Sequence, residues 1–176
     1  MAEAMTAPVA LGANREQIFA LAEKVAVQVR YKPGDNLRDL VEKLGGKVSY
    51  SSLDNASSDS GSVEIKNGRL EIFLALDTSP LRDRFTIAHE LGHWVLHYLY
   101  PKQQLGKTVE LLRAERYGTG PAEIEANWFA AAFLMPAREF SDEFKKSNGD
   151  FLRLSQIFKV SKQAASIRAD TLGLHH

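Results

Sequence analysis

Apolar positions recur at helical spacing along much of this chain and alternate at strand spacing in one short stretch. Ile18, Leu21, Ala22, Val25 and Val29 form one stripe and predict a first helix from about Arg15 to Val29. Pro33-Gly34-Asp35 breaks the pattern, after which Leu37, Leu40, Val41 and Leu44 mark a second helix that Gly45-Gly46 ends. Lys47 to Ser51 reads as a short strand, and the Ser-, Asp- and Gly-rich run from Ser51 to Ser62 as a loop. From Val63 to Ile72 the residues alternate around Asn67-Gly68, a pair that favours the tight turn of a β-hairpin, with Leu70, Ile72, Leu74 and Leu76 on one face of the second strand. Ser79-Pro80 is an N-cap followed by Pro at the first helical position, and Leu81, Phe85, Ala88, Leu91, Val95 and Leu99 carry a helix on to about Tyr98. Val109 to Arg116 predicts a short helix within the Tyr100–Thr119 connection, a segment placed to act as a lid or substrate loop. A further helix runs from Pro121 to Met135 and stops at Pro136. Phe151 to Leu174 predicts two short helices joined at Lys159-Val160-Ser161, with Ser161 as N-cap.

These elements predict an α+β fold, mostly helical, with a small antiparallel sheet ahead of the Ser79 helix and a C-terminal segment resembling a helix-turn-helix. Residues 1–13 are small and nonpolar without periodicity and are expected to be a disordered tail; residues 14–174 are expected to form one domain that includes 151–174. The 176 residues are 44% hydrophobic, enough for a core, and lack an apolar run of the ~20 residues needed to span a bilayer. The start of the chain lacks the charged and apolar pattern of a leader, so a cytoplasmic, membrane-free setting is expected. Lys plus Arg and Asp plus Glu both number 22, so no overall charge draws the chain to nucleic acid. The helix at Lys162–Arg168 offers few base-reading groups and no adjacent basic cluster, so direct DNA binding is not expected. There is no cysteine, which excludes disulfides and thiolate ligands and leaves His and carboxylates for any metal site.

One run carries chemistry: His89-Glu90-Leu91-Gly92-His93. In the middle of a helix, residues four apart lie on one face, so the two imidazoles can converge on one ion at roughly 2.0–2.1 Å each. Glu90 points about 100° away from His89 and is placed to reach a water rather than the ion. His97 continues the series but lies about 12 Å along the axis from His89, too far for both to bind one ion. It reads instead as a helix-end residue or an outside support for a ligand. In the later helix Glu123, Asn127 and Ala130 share a face and Glu125 points elsewhere, while Ala126, Ala130, Ala131 and Ala132 permit close approach of another helix. If that face meets the His89 helix, Glu123 completes a two-His, one-Glu site and Asn127 hydrogen-bonds a ligand imidazole. On the residues alone, both glutamates also fit a helix first turn, where the helix dipole favours acid.

The runs Arg84-Phe85-Thr86-Ile87-Ala88-His89-Glu90-Leu91-Gly92-His93, Glu123-x-x-Ala126-Asn127-x-Phe129-Ala130-Ala131 and Leu134-Met135-Pro136, with the ending Phe158-Lys159-Val160-Ser161-x-x-Ala164-x-x-x-Arg168, resemble the ImmA/IrrE metallopeptidases over about residues 36 to 174. The resemblance implies a zincin-like fold, a zinc ion (Mn2+ or another divalent ion as substitute) and a hydrolase that cuts a helix-turn-helix repressor. Carried over by position, it makes His89, His93 and Glu123 the metal ligands and Glu90 the catalytic base, with Glu125 as fallback ligand. The rival expectation is a toxin–antitoxin or regulatory binding module that sequesters a DNA-binding partner around a structural metal. Arg116 and Tyr117 are candidates to polarise the scissile carbonyl, and an exposed sheet edge is a candidate to hold an extended substrate.

Overall fold

The computed structural model describes residues 6–50, 62–107, 111–115 and 119–175. Of the loop expected from Ser51 to Ser62, residues 51–61 lie outside these residues, as do both candidate carbonyl-polarising residues, Arg116 and Tyr117, while Ser62 begins a strand. The described elements are α1 (Arg15–Gln28), α2 (Leu37–Lys43), β1 (Lys47–Tyr50), β2 (Ser62–Lys66), β3 (Arg69–Leu74), α3 (Pro80–His93), a π-helical turn (Trp94–Leu99), α4 (Tyr100–Gln104), β4 (Leu111–Glu115), α5 (Pro121–Leu134), α6 (Ala137–Lys146), α7 (Phe151–Phe158) and α8 (Lys162–Thr171). The α+β architecture, mostly helical, is the one the apolar periodicity predicts.

Local chemistry explains most of the boundaries. Asn14 and Gln17 form a reciprocal capping box at the start of α1, and Asn36, Ser79, Asp150 and Ser161 accept backbone N–H groups at the starts of α2, α3, α7 and α8. The hairpin turns through Asn67 (φ 51°) and Gly68 (φ 76°), the left-handed pair that an Asn-Gly turn provides. On β3, Leu70, Ile72 and Leu74 are buried as the alternation requires, whereas Leu76 lies beyond the strand and is exposed.

The sheet differs from the expected antiparallel hairpin sheet in two ways. Its order is β1-β3-β2-β4: the hairpin is antiparallel, but β1 joins β3 in parallel, because α2 delivers β1 at the end of the sheet where the hairpin turns, Lys47 beside Glu71, and both strands run away from that end. The fourth strand is the segment expected to form the Val109–Arg116 helix. Leu, Ala, Glu and Arg there have good helix propensity, but pairing with β2 and burial of Leu112 against the core override it. The expected tail also needs correction over its described part. Thr6 bridges Leu112 on the outer side of β4, and the amides of Leu11 and Gly12 bond Glu125, so residues 6–13 are tied to the domain.

The core lies between the sheet, α1, α3 and α5, where Phe129 stacks on Phe133 and Phe133 on Tyr31. Helices α3 and α5 approach closely because Gly92 faces Ala126 and Phe129; a methyl group on Gly92 would lie 3.2 Å from the Ala126 backbone. Arg84 fixes α3 against the loops at both ends of the chain, donating to the Tyr31 hydroxyl (3.0 Å) and to the carbonyls of Lys159 (3.2 Å) and Asp35. Helix α6 had no counterpart in the sequence reading. It buries Phe140 and Phe144, one turn apart, and Glu23 of α1 accepts the first amide of the helix, from Ala137, at 2.9 Å.

Candidate metal centre

Helix α3 presents His89, Glu90 and His93 where α5 crosses it, and all three are buried. The two imidazole rings stand edge to face with centroids 4.8 Å apart, and each of the three residues has a donor atom within 4.8 Å of the others'. Glu123, in the first turn of α5, closes the group from the facing helix. Its Oε2 lies 3.0 Å from His89 Nε2 and its Oε1 3.0 Å from His93 Nε2, so one carboxylate straddles both rings. Asn127, one turn along α5, places its Oδ1 2.8 Å from His89 Nδ1. A carbonyl oxygen only accepts, so His89 carries its proton on Nδ1 and turns the Nε2 lone pair towards Glu123 and His93.

The second imidazole is oriented differently. His93 Nδ1 lies 2.9 Å from His97 Nδ1, and His97 Nε2 lies 2.9 Å from Glu125 Oε2. His97 therefore stands behind a site residue rather than within the site, as its axial distance requires. Glu125, the fallback ligand, faces His97 and the amides of Leu11 and Gly12 and not the space between His89 and His93. The axial offset was readable from spacing alone, but the pairing of His97 with Glu125 depends on the α3–α5 crossing, and nothing in the local pattern near Leu11 signals its amide contact.

The electrostatics favour a cation. Burial pushes the Glu123 carboxyl up, but the two imidazoles that face it, His89 and His93, outweigh that and bring it down to about 2. Burial pushes His93 below the usual imidazole value despite the nearby Glu123 carboxylate, and His97 falls for the same reason. Neutral imidazoles beside an ionised carboxylate are the protonation states a divalent ion requires. His93 Nε2 is buried and, although 3.0 Å from Glu123 Oε1, forms no hydrogen bond of proper angle among the described residues. The two atoms point towards a shared position rather than at each other. Two imidazole nitrogens and a carboxylate suit zinc or manganese, and three protein donors leave a coordination position for water or substrate.

A cavity of about 760 Å³ lies between α1, α3, α5 and α8, walled by Phe19, Phe85, Met135 and Ile167, with Asn127 among its lining residues. Trp128 lines it, so this ring faces accessible space as well as the helix interface. No helix among the described residues is long and apolar enough to cross a membrane.

Residues 41–170 match the IrrE N-terminal-like domain of the Peptidase_M78 family. Among solved structures, a Mycobacterium tuberculosis transcriptional regulator has the same fold, with a TM-score of 0.63 at 20% sequence identity; the likeness covers 88% of this chain and 46% of that one. The chain thus spans less than half the length of that regulator. No curated protein matches it.

Proposed function

The chain belongs to the Peptidase_M78 family of IrrE N-terminal-like domains, and on that footing we propose that it is a zinc-dependent endopeptidase whose substrate is a helix-turn-helix transcriptional repressor in the cytoplasm. The observation that carries this reading is the single Glu123 carboxylate lying 3.0 Å from the Nε2 atoms of both His89 and His93, with Glu90 buried beside them. His89, His93 and Glu123 would hold the ion; Glu90 is the base. When bound, a divalent ion supplies a Lewis acid for the scissile carbonyl and lowers the pKa of a water towards about 7.

The remaining steps belong to the protein. Asn127 keeps the proton of His89 on Nδ1, which leaves Nε2 free to bind. The Glu90 carboxylate takes a proton from the attacking water and delivers it to the nitrogen of the leaving amine as the C–N bond breaks. Burial of the donor set excludes bulk water, so these charges act in a medium where they are poorly screened. Support for a repressor as substrate comes from the family resemblance, and the fold shared with a transcriptional regulator is compatible with it.

The test is mass spectrometry of a co-encoded helix-turn-helix protein after incubation with the zinc-loaded chain, with a chelator control. Fragments are expected from the native protein. Glu90→Gln should keep its metal and lower the cleavage rate by about 10²–10⁴-fold, and His93→Ala should lose both metal and cleavage. A stable complex without fragments at saturating metal would replace the peptidase with a binding module, and undiminished cleavage by Glu90→Gln would remove Glu90 as the base.

A further inference from the structure

Four hydrogen bonds run outward from the donor set in an unbroken series. His93 Nδ1 meets His97 Nδ1 at 2.9 Å; His97 Nε2 meets Glu125 Oε2 at 2.9 Å; the Leu11 amide donates to Glu125 Oε2 at 2.9 Å and the Gly12 amide to Oε1 at 2.8 Å. His97 and Glu125 are 2% and 3% exposed, so both have left water and depend on these partners to offset their desolvation.

Proton counting gives the series a direction. A carboxylate accepts and cannot donate, so the His97 nitrogen facing Glu125 must carry a proton. A neutral ring has one proton, and with that proton on Nε2 the His97 Nδ1 is a lone pair facing His93 Nδ1. His93 must then carry its own proton on Nδ1 and present Nε2 as a lone pair towards His89 and Glu123. In the opposite assignment, a bare His97 Nε2 would face a carboxylate oxygen at 2.9 Å, two acceptors in contact, with no ion expected between them as there would be between Glu123 and the Nε2 atoms of His89 and His93. The tautomer of His93 is therefore set two residues away, at Glu125. The carboxylate is itself held by two successive amides, which converge on it because Gly12 takes a left-handed conformation (φ 73°) open to glycine.

We propose that His97 and Glu125 are positioning residues for the metal ligand His93, and that the amides of Leu11 and Gly12 make the N-terminal segment an outer part of the metal centre. This rests on the reading of His93 as a ligand. His89 Nδ1 meets Asn127 directly, whereas His93 Nδ1 is set through a relay that ends on a distant part of the sequence.

The test measures Zn2+ affinity by competition with a chromophoric chelator, and the visible absorption of the Co2+ form, in the full-length chain and three variants. His97→Leu removes both bonds of the ring. His97→Gln keeps an amide able to accept from His93 and donate to Glu125. Gly12→Val displaces the amides through backbone strain, at a position where an added Cβ meets nothing within 4 Å. The expected result is affinity about 10–100-fold weaker with an altered Co2+ band in His97→Leu, a smaller loss in the same direction in Gly12→Val, and recovery of most of the affinity and of the native band in His97→Gln. Folded His97→Leu with native affinity and spectrum would overturn the proposal, as would His97→Gln no better than His97→Leu, because that pattern means packing alone. If His97→Leu fails to fold, an unchanged affinity in Gly12→Val overturns the link to the N-terminal segment. Native protein that binds neither Zn2+ nor Co2+ would instead refute the metallopeptidase reading itself, and the relay with it.

Discussion

Asn127 shows how one uncharged atom can govern a proposed metal ligand. Its carbonyl oxygen, 2.8 Å from His89 Nδ1, favours a proton on that ring nitrogen and leaves Nε2 facing Glu123. Asn127→Ala should leave the fold intact and weaken zinc binding about 10–100-fold, as measured by chelator competition. Asn127→Asp should retain most of the affinity, because a carboxylate accepts the same proton. Equal losses in the two variants would show that Asn127 acts through packing instead.

At the scale of elements, the crossing of α3 and α5 decides whether three donors meet. Gly92 permits the approach, with the Ala126 backbone and the Phe129 Cβ 3.2 Å from where its methyl group would sit. Gly92→Ala gains helix propensity of about 1 kcal/mol but forces two backbones apart, and the overpacking penalty of about 1–3 kcal/mol should prevail. Urea unfolding of the metal-free protein should show the loss, and zinc affinity should fall with it as Glu123 withdraws from the two rings. The same crossing explains which parts of the structure were readable in the sequence. His89 and His93 share a face of α3, and Glu123 and Asn127 a face of α5, because each pair is four residues apart, a spacing visible in the sequence. Helix α6 is not legible in the sequence although Phe140 and Phe144 stand one turn apart, because Pro136 both ends α5 and caps the start of α6 and reads locally only as a stop. The β4 segment misled because local propensity favoured a helix and only a distant strand, β2, could show otherwise. Leu11 and Gly12 were unreadable for a related reason: an amide contact with residue 125 has no local signature. The π-helical turn was likewise invisible, yet it has a physical role. Pro101 lacks an N–H and its ring crowds the carbonyl four residues back, and the ladder has already widened before it, with Tyr100 N–H reaching Val95 O.

At the scale of the molecule, one buried cation joins the first helix to the last. Arg168 of α8 donates from Nε to the Met135 carbonyl at 2.9 Å and from Nη2 to Glu23 of α1 at 3.3 Å, and its guanidinium lies 4.5 Å from the Phe19 ring centroid. Burial pushes it down to about 10, against the opposing charge of Glu23. The side chain is therefore committed to the interior and does not extend from α8 to read a duplex. Arg168→Lys keeps the charge but not the fork, and should cost about 2–3 kcal/mol in urea unfolding, a large loss for a nominally conservative change. Metal should stabilise the whole fold, since its donors come from two helices that unfolding separates. At free zinc about a hundredfold above its dissociation constant the gain is about 2.7 kcal/mol, so chelation should lower the melting temperature by about 5–10 °C. Glu123→Ala should abolish that difference, and a chelator effect that survives in Glu123→Ala would place the ion elsewhere.

The contact of Thr6 with Leu112 on the outer strand has a practical consequence. An affinity handle or fluorescent fusion spliced directly ahead of Thr6 would tug on the cover of that strand and, six residues later, on the amides beneath Glu125. The same handle attached beyond the exposed His175 would disturb neither.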